Sequence, residues 1–250
     1  MTHSHTSLGI LFVHGWGFDA VFFDPLAEEL TRLLGEYPQC RWDRGYFQDD
    51  VFHEDLPPGR WIGVGHSLGF HRLLGLPLEG FVSLAGFIRF CALADETSGT
   101  PLSVLQLMIS GFRKQPQLVL AAFDYRCGVS WAKIHKASIH SDLLLADLVS
   151  MQTLNVMPSL VDYKKPLLVL SDRDDKIVSQ NLLEDNFKDF DRITWGIGEG
   201  GGHVFPYSQA PWCAQEIQEW MAKIGFYSAA IPKKINFLGM ILRESLTFWE

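Results

Sequence analysis

The chain lacks any apolar run long enough to span a bilayer; stretches such as Ile10 to Val13 and Leu167 to Leu170 fall far short of the roughly 20 residues a membrane helix needs. No basic region followed by a long apolar stretch opens the sequence, so the protein is expected in the cytoplasm. It is poor in cysteine. Cys40, Cys91, Cys127 and Cys213 are widely spaced and form no C-x-x-C pair, which argues against a zinc site and against a disulfide framework. Positive charge is also scarce: a formal net charge of −8 disfavours a general nucleic-acid binder, which needs clustered Lys and Arg. Repeats and low-complexity tracts are missing. What is present is 250 residues with 47% hydrophobic content, enough for one sizeable core.

Short apolar runs alternate with helical spacing along most of the chain. Leu8 to Val13, Cys40 to Trp42, Trp61 to Val64, Gly80 to Leu84, Leu167 to Ser171 and Ile193 to Trp195 read as strands, most of them buried. Pro25 to Leu34, Leu68 to Leu76 and Ala210 to Ile224 have helical apolar spacing. Strands joined by helices imply an α/β fold with a mostly parallel central sheet flanked by helices. From 87 to 161 the pattern is mainly helical, as expected of an inserted cap. The division is therefore a core from 1–86 and 162–225, a helical cap at 87–161 and an apolar extension at 226–250. Within that extension, Asn236 to Trp249 predicts a strongly apolar helix that packs on its own body, with a dimer contact or a membrane-surface anchor as the other expectations.

Gly65-His66-Ser67-Leu68-Gly69 carries the most chemistry. It follows an apolar strand and opens a helical segment, the setting of a nucleophile elbow. A serine on such a turn has close neighbours two residues away on either side, which only small residues allow. The helix start also places backbone N–H groups where negative charge develops in acyl transfer. Ser67 is the candidate nucleophile. His14-Gly15-Trp16-Gly17 follows the first strand, where the oxyanion loop belongs, so the backbone N–H groups of Trp16 and Leu68 are the candidate oxyanion donors. The Trp16 indole is placed to wall an acyl pocket.

A serine needs a base and the base an orienting acid. Of nine histidines, His203 follows a strand and the glycine loop Gly198 to Gly202, which suits delivery of an imidazole to the elbow. His66 and His71 flank Ser67 only locally, and His71 projects from the helix flank. Asp172, Asp174 and Asp175 all follow the late strand and all qualify as the acid by chemistry. Between residues 111 and 136, five cations (Arg113, Lys114, Arg126, Lys133 and Lys136) face a single acid, Asp124. A local positive patch on an acidic protein suits an acidic partner.

With these motifs the chain resembles the α/β-hydrolase superfamily over nearly its full length. Within it, the closer likeness is to the pimeloyl-[acyl-carrier protein] methyl ester esterases of biotin synthesis. That likeness rests on His14 to Asp19, Gly65 to Gly69, the helical cap, Asp175 and His203-Val204-Phe205-Pro206. The resemblance implies hydrolysis of the methyl ester of a pimeloyl chain on acyl-carrier protein, with no metal or organic cofactor. Asp175, followed by Lys176-Ile177-Val178, matches the family's Asp-x-x-Val turn and becomes the implied acid, with Asp174 as the other option. Arg113, Lys114, Arg126 and Lys133 become carrier-contact candidates. The family's usual glycine before the acid turn is Asp172 here. A short-chain carboxylesterase that needs no carrier, or a ligand-binding receptor on the same fold, are the competing expectations.

Overall fold

The computed structural model of the chain describes residues 8–47, 55–92, 98–128, 138–155, 164–190 and 192–226. Six strands form one parallel sheet: β1 (Leu8–Val13), β2 (Gln39–Trp42), β3 (Arg60–His66), β4 (Gly80–Leu84), β5 (Leu167–Asp172) and β6 (Ile193–Gly198). Their spatial order is β2-β1-β3-β4-β5-β6. β4 and β5 are buried at every position and β3 at every position after Arg60. That explains their near-continuous apolar sequence, since a parallel strand is covered on both faces.

The helices are α1 (Asp24–Leu34), α2 (Leu68–Leu73), α3 (Leu102–Lys114), α4 (Pro116–Cys127), α5 (Ser141–Ser150), α6 (Gln180–Phe187), α7 (Phe205–Ser208) and α8 (Ala210–Lys223). The connection from β1 through α1 to β2 and the one from β3 through α2 to β4 move in opposite directions across the sheet. Right-handed crossovers therefore put α1 and α2 on opposite faces. α1 packs on α8. The strand order reverses between β1 and β3, so the loops after these two strands meet over a crevice at the carboxyl edge of the sheet, the general ligand position of such folds.

The elbow helix ends sooner than its apolar spacing predicts: Leu74 is already extended and Gly75 takes φ 92°, so the chain turns away ahead of Pro77. α3, α4 and α5 lie between β4 and β5 in the chain. The expected helix over Asn236 to Trp249 lies outside the described residues.

Candidate active site

The sharp turn between β3 and α2 is built by backbone crowding. Ser67 stands at φ 52° and ψ −125°, a region most side chains avoid, and its N–H donates to the Leu84 carbonyl at 3.0 Å. A Cβ on Gly65 would run into the Phe70 backbone, and one on Gly69 into the carbonyl oxygens of Val13 and His14. Both glycines are thus required by the close approach of strand, turn and helix. The loop after β1 closes over the elbow so tightly that a Cβ on Gly15 would lie 2.8 Å from Ser67 Cβ. α2 begins at Leu68, whose N–H is among the first-turn amides without an intrahelical acceptor.

His203 is fully buried in the short helical turn after β6. Its Nδ1 lies 2.7 Å from Asp175 Oδ2, so Nδ1 carries the proton and the ring is a donor to the carboxylate. The other Asp175 oxygen accepts the N–H groups of Ile177 (2.7 Å) and Val178 (2.8 Å). His203 Nε2 is buried and has no hydrogen-bond partner among the described residues, leaving its lone pair available as a proton acceptor. The ring of His66, the neighbour of Ser67, is 4.7 Å from that of His203, and its Nε2 donates to the His203 carbonyl at 2.9 Å. Burial and then the nearby His203 hold His66 well below the ordinary histidine pKa, so it stays neutral.

The three clustered acids hold different groups. Asp175 holds the imidazole. Asp172, nearly buried, accepts the N–H groups of Gly201 (2.9 Å), Gly202 (3.0 Å) and Asp174 (2.9 Å). Asp174 accepts that of Gly200 at 2.8 Å. The glycine loop before His203 is therefore stitched to the end of β5 by carboxylates, a task that reading the sequence did not assign to Asp172 or Asp174. The hint lay in the loop itself: consecutive glycine amides beside an acidic turn need acceptors.

Ser67 opens into a cavity of about 440 Å³ between α3, α4 and α5, with Trp16, Leu105, Met108, Val119 and Phe123 among its walls. The Trp16 indole meets Phe112 and Phe123 edge-on at centroid distances of 5.7 and 5.0 Å, and its Nε1 donates to the Leu144 carbonyl at 2.8 Å. Arg126 and Lys176 bring the charge to an otherwise apolar lining. Arg126 donates to the Lys176 carbonyl at 3.2 Å. Arg113 and Lys114 are exposed at the end of α3, and Arg126 is exposed in the last turn of α4. Lys133 lies outside the described residues. Among the described residues, no group of His, Cys, Asp and Glu is arranged to hold a metal ion, and no helix is long and apolar enough to cross a membrane.

No family model matches the chain, and neither does any curated protein. Solved structures do. An esterase from Exiguobacterium antarcticum is similar at a TM-score of 0.68 and 10% identity, over 87% of this chain and 93% of that one. MenH from S. aureus is similar at a TM-score of 0.68 and 12% identity, over 88% and 96% of the two chains. BioG from Haemophilus influenzae follows at a TM-score of 0.58 and 19% identity, over 85% and 96%. At such identities the likeness concerns the fold, and together with the six-stranded parallel sheet it establishes that this chain has the α/β-hydrolase fold.

Proposed function

We propose that this protein is a serine carboxylesterase that hydrolyses the methyl ester of a pimeloyl chain carried on acyl-carrier protein. The observation that carries the esterase reading is the buried Asp175–His203 pair, with a free Nε2, beside an elbow that holds Ser67 at positive φ in the mouth of an apolar cavity. Ser67 Oγ attacks the ester carbonyl carbon as its proton passes to His203 Nε2. The carbonyl π electrons move to oxygen, and the backbone N–H groups of Trp16 and Leu68 hold the oxyanion. Such donors are worth roughly 3–4 kcal/mol each where they have been removed singly. Asp175 stabilises the imidazolium. When the tetrahedral species collapses, the C–O bond to methoxide breaks and Nε2 returns the proton, releasing methanol. Water, deprotonated by the same nitrogen, then cleaves the acyl-enzyme to the free acid.

The substrate reading is supported by the motif resemblance, by the apolar cavity and by the cations Arg113, Lys114 and Arg126 on the helices around it, which suit an acidic carrier. A cytoplasmic setting belongs to the same reading. The test is turnover of pimeloyl-carrier methyl ester, followed by gel shift of the carrier species, beside a short p-nitrophenyl ester, for wild type and Ser67→Ala. Both activities should fall by roughly 10⁵-fold in the variant. Wild-type activity confined to the short ester would keep the chemistry and discard the carrier substrate. Tight ligand binding without turnover of any ester would favour a receptor.

A further inference from the structure

Asp147, on α5, gathers hydrogen bonds from three side chains that lie 103, 101 and 75 positions away from it in sequence. Arg44 approaches it as a fork, Nε to Oδ2 at 2.8 Å and Nη2 to Oδ1 at 3.2 Å. Tyr46 donates its hydroxyl at 2.6 Å and Arg72 its Nη2 at 2.8 Å, both to Oδ2. Asp147 is 7% exposed. The two arginines lead toward the two segments that flank Ser67. Arg72 belongs to α2, the helix whose first residue is Leu68. Arg44 donates its own backbone N–H to His14 Nε2 at 2.9 Å, while the adjacent Asp43 accepts the Ala20 N–H at 2.9 Å. The Asp43–Arg44 turn therefore clasps the loop after β1 near both its ends. Less than one turn before Asp147, the Leu144 carbonyl takes the indole N–H of Trp16 in the middle of that same loop.

We infer that α5 sets the separation of the two oxyanion donors, with Asp147 as the positioning residue that ties this helix to both donor segments. The inference rests on the ester-hydrolase reading above. A donor acts only if it stands at hydrogen-bond distance from where the oxyanion forms, so a small relaxation of either segment weakens the tetrahedral species more than the bound ester. Asp147 itself touches no reacting atom. The helices over the cavity thus do more than enclose the acyl chain: one of them is part of the frame on which charge is stabilised.

The experiment compares wild type, Asp147→Asn and Tyr46→Phe in kcat, in KM, and in inhibition by two matched apolar ketones. A trifluoromethyl ketone forms a tetrahedral adduct with serine, whereas the plain methyl ketone only fills the cavity. Asp147→Asn should lower kcat by about 10- to 100-fold with KM within about twofold. It should weaken the trifluoromethyl ketone by the same factor and leave the methyl ketone unchanged. Tyr46→Phe, which removes one hydroxyl donor and keeps both guanidinium contacts, should shift kcat and the trifluoromethyl ketone together by a few-fold. This variant decides the matter if Asp147→Asn does not fold. Unchanged kcat and trifluoromethyl ketone affinity in a folded variant, or equal weakening of both ketones, would overturn the inference while the esterase reading stands. A wild type that turns over no ester and forms no ketone adduct would remove both.

Discussion

β3 and α4 are both rich in apolar residues, yet they spend that character differently. β3 buries everything after Arg60 and is covered on both faces, so packing accounts for its apolar run up to Val64. α4 buries Leu120 and Cys127 while leaving Leu118 at 62% and Tyr125 at 83% exposure, and on the adjoining helix α3 Leu107 stands at 74%. Leu107 and Leu118 also line the cavity. The sheet uses hydrophobicity to hold itself together. The α3–α4 pair leaves a surplus exposed at the rim of a cavity, next to exposed Arg113, Lys114 and Arg126.

If chemistry belongs to the strand ends and recognition to these helices, substitutions should separate the two. The largest effect is expected at the strand ends. Asp175→Asn should cost about 10⁴-fold in kcat on any ester by removing the anion that fixes the His203 tautomer. Asp174→Asn, which disturbs a single glycine amide, should cost less than about tenfold. Steady-state kinetics of the pair decide this, and equal losses would mean that the carboxylates act as one unit. A smaller effect is expected on the helices: Arg113→Glu combined with Lys114→Glu should raise KM for a carrier-linked ester about tenfold and leave a small ester untouched. Loss on both substrates would erase the division of labour.

The smallest expected effect concerns acid. His66 has a folded-state pKa well below 6.5, through burial and then the adjacent His203, and His71 is lowered too, through burial and then Arg72. Below about 6.5 the unfolded chain takes up these protons while the folded one does not, so stability falls as pH drops. Burial alone would raise Asp43 and Asp147. The hydrogen bond and charge of His14, with the Ala20 and Gly45 amides, instead bring Asp43 down to about 2. Arg44, Arg72 and the Tyr46 hydroxyl likewise bring Asp147 below its ordinary 3.8. The stabilisation from Asp43 is present above 3.8 and is lost as pH falls toward about 2, and that from Asp147 is lost as pH falls below 3.8. Melting temperature against pH should therefore decline in two stages, the first traceable to His66 at the end of β3 and His71 on α2, and the second to the contacts of α5 and the loop after β2. A flat profile between pH 7 and 5 would mean that His66 is protonated in the folded state.

Much of the core was legible because buried parallel strands write themselves as short apolar runs; Gly80–Leu84 is the same segment in sequence and structure, and β5 runs one residue further, to Asp172. The elbow was legible because two close backbone approaches allow only glycine at 65 and 69. The resemblance singled out Asp175, which the fold brings to His203, but the tasks of Asp172 and Asp174 were not legible, since three carboxylates in four positions differ only in which amide or imidazole the fold brings to them. Nor was the Asp147 cluster: its partners Arg44 and Arg72 lie 103 and 75 positions away, and helical periodicity names a buried face without naming what covers it.

Among the described residues β6 is the outermost strand on its side of the sheet, with Trp195 and Ile197 turned partly to solvent. The glycines that follow it are fastened inward by Asp172 and Asp174 to the end of an interior strand. The place of His203 beside its carboxylate therefore depends on the end of β5 as well as on the strand that precedes it in sequence.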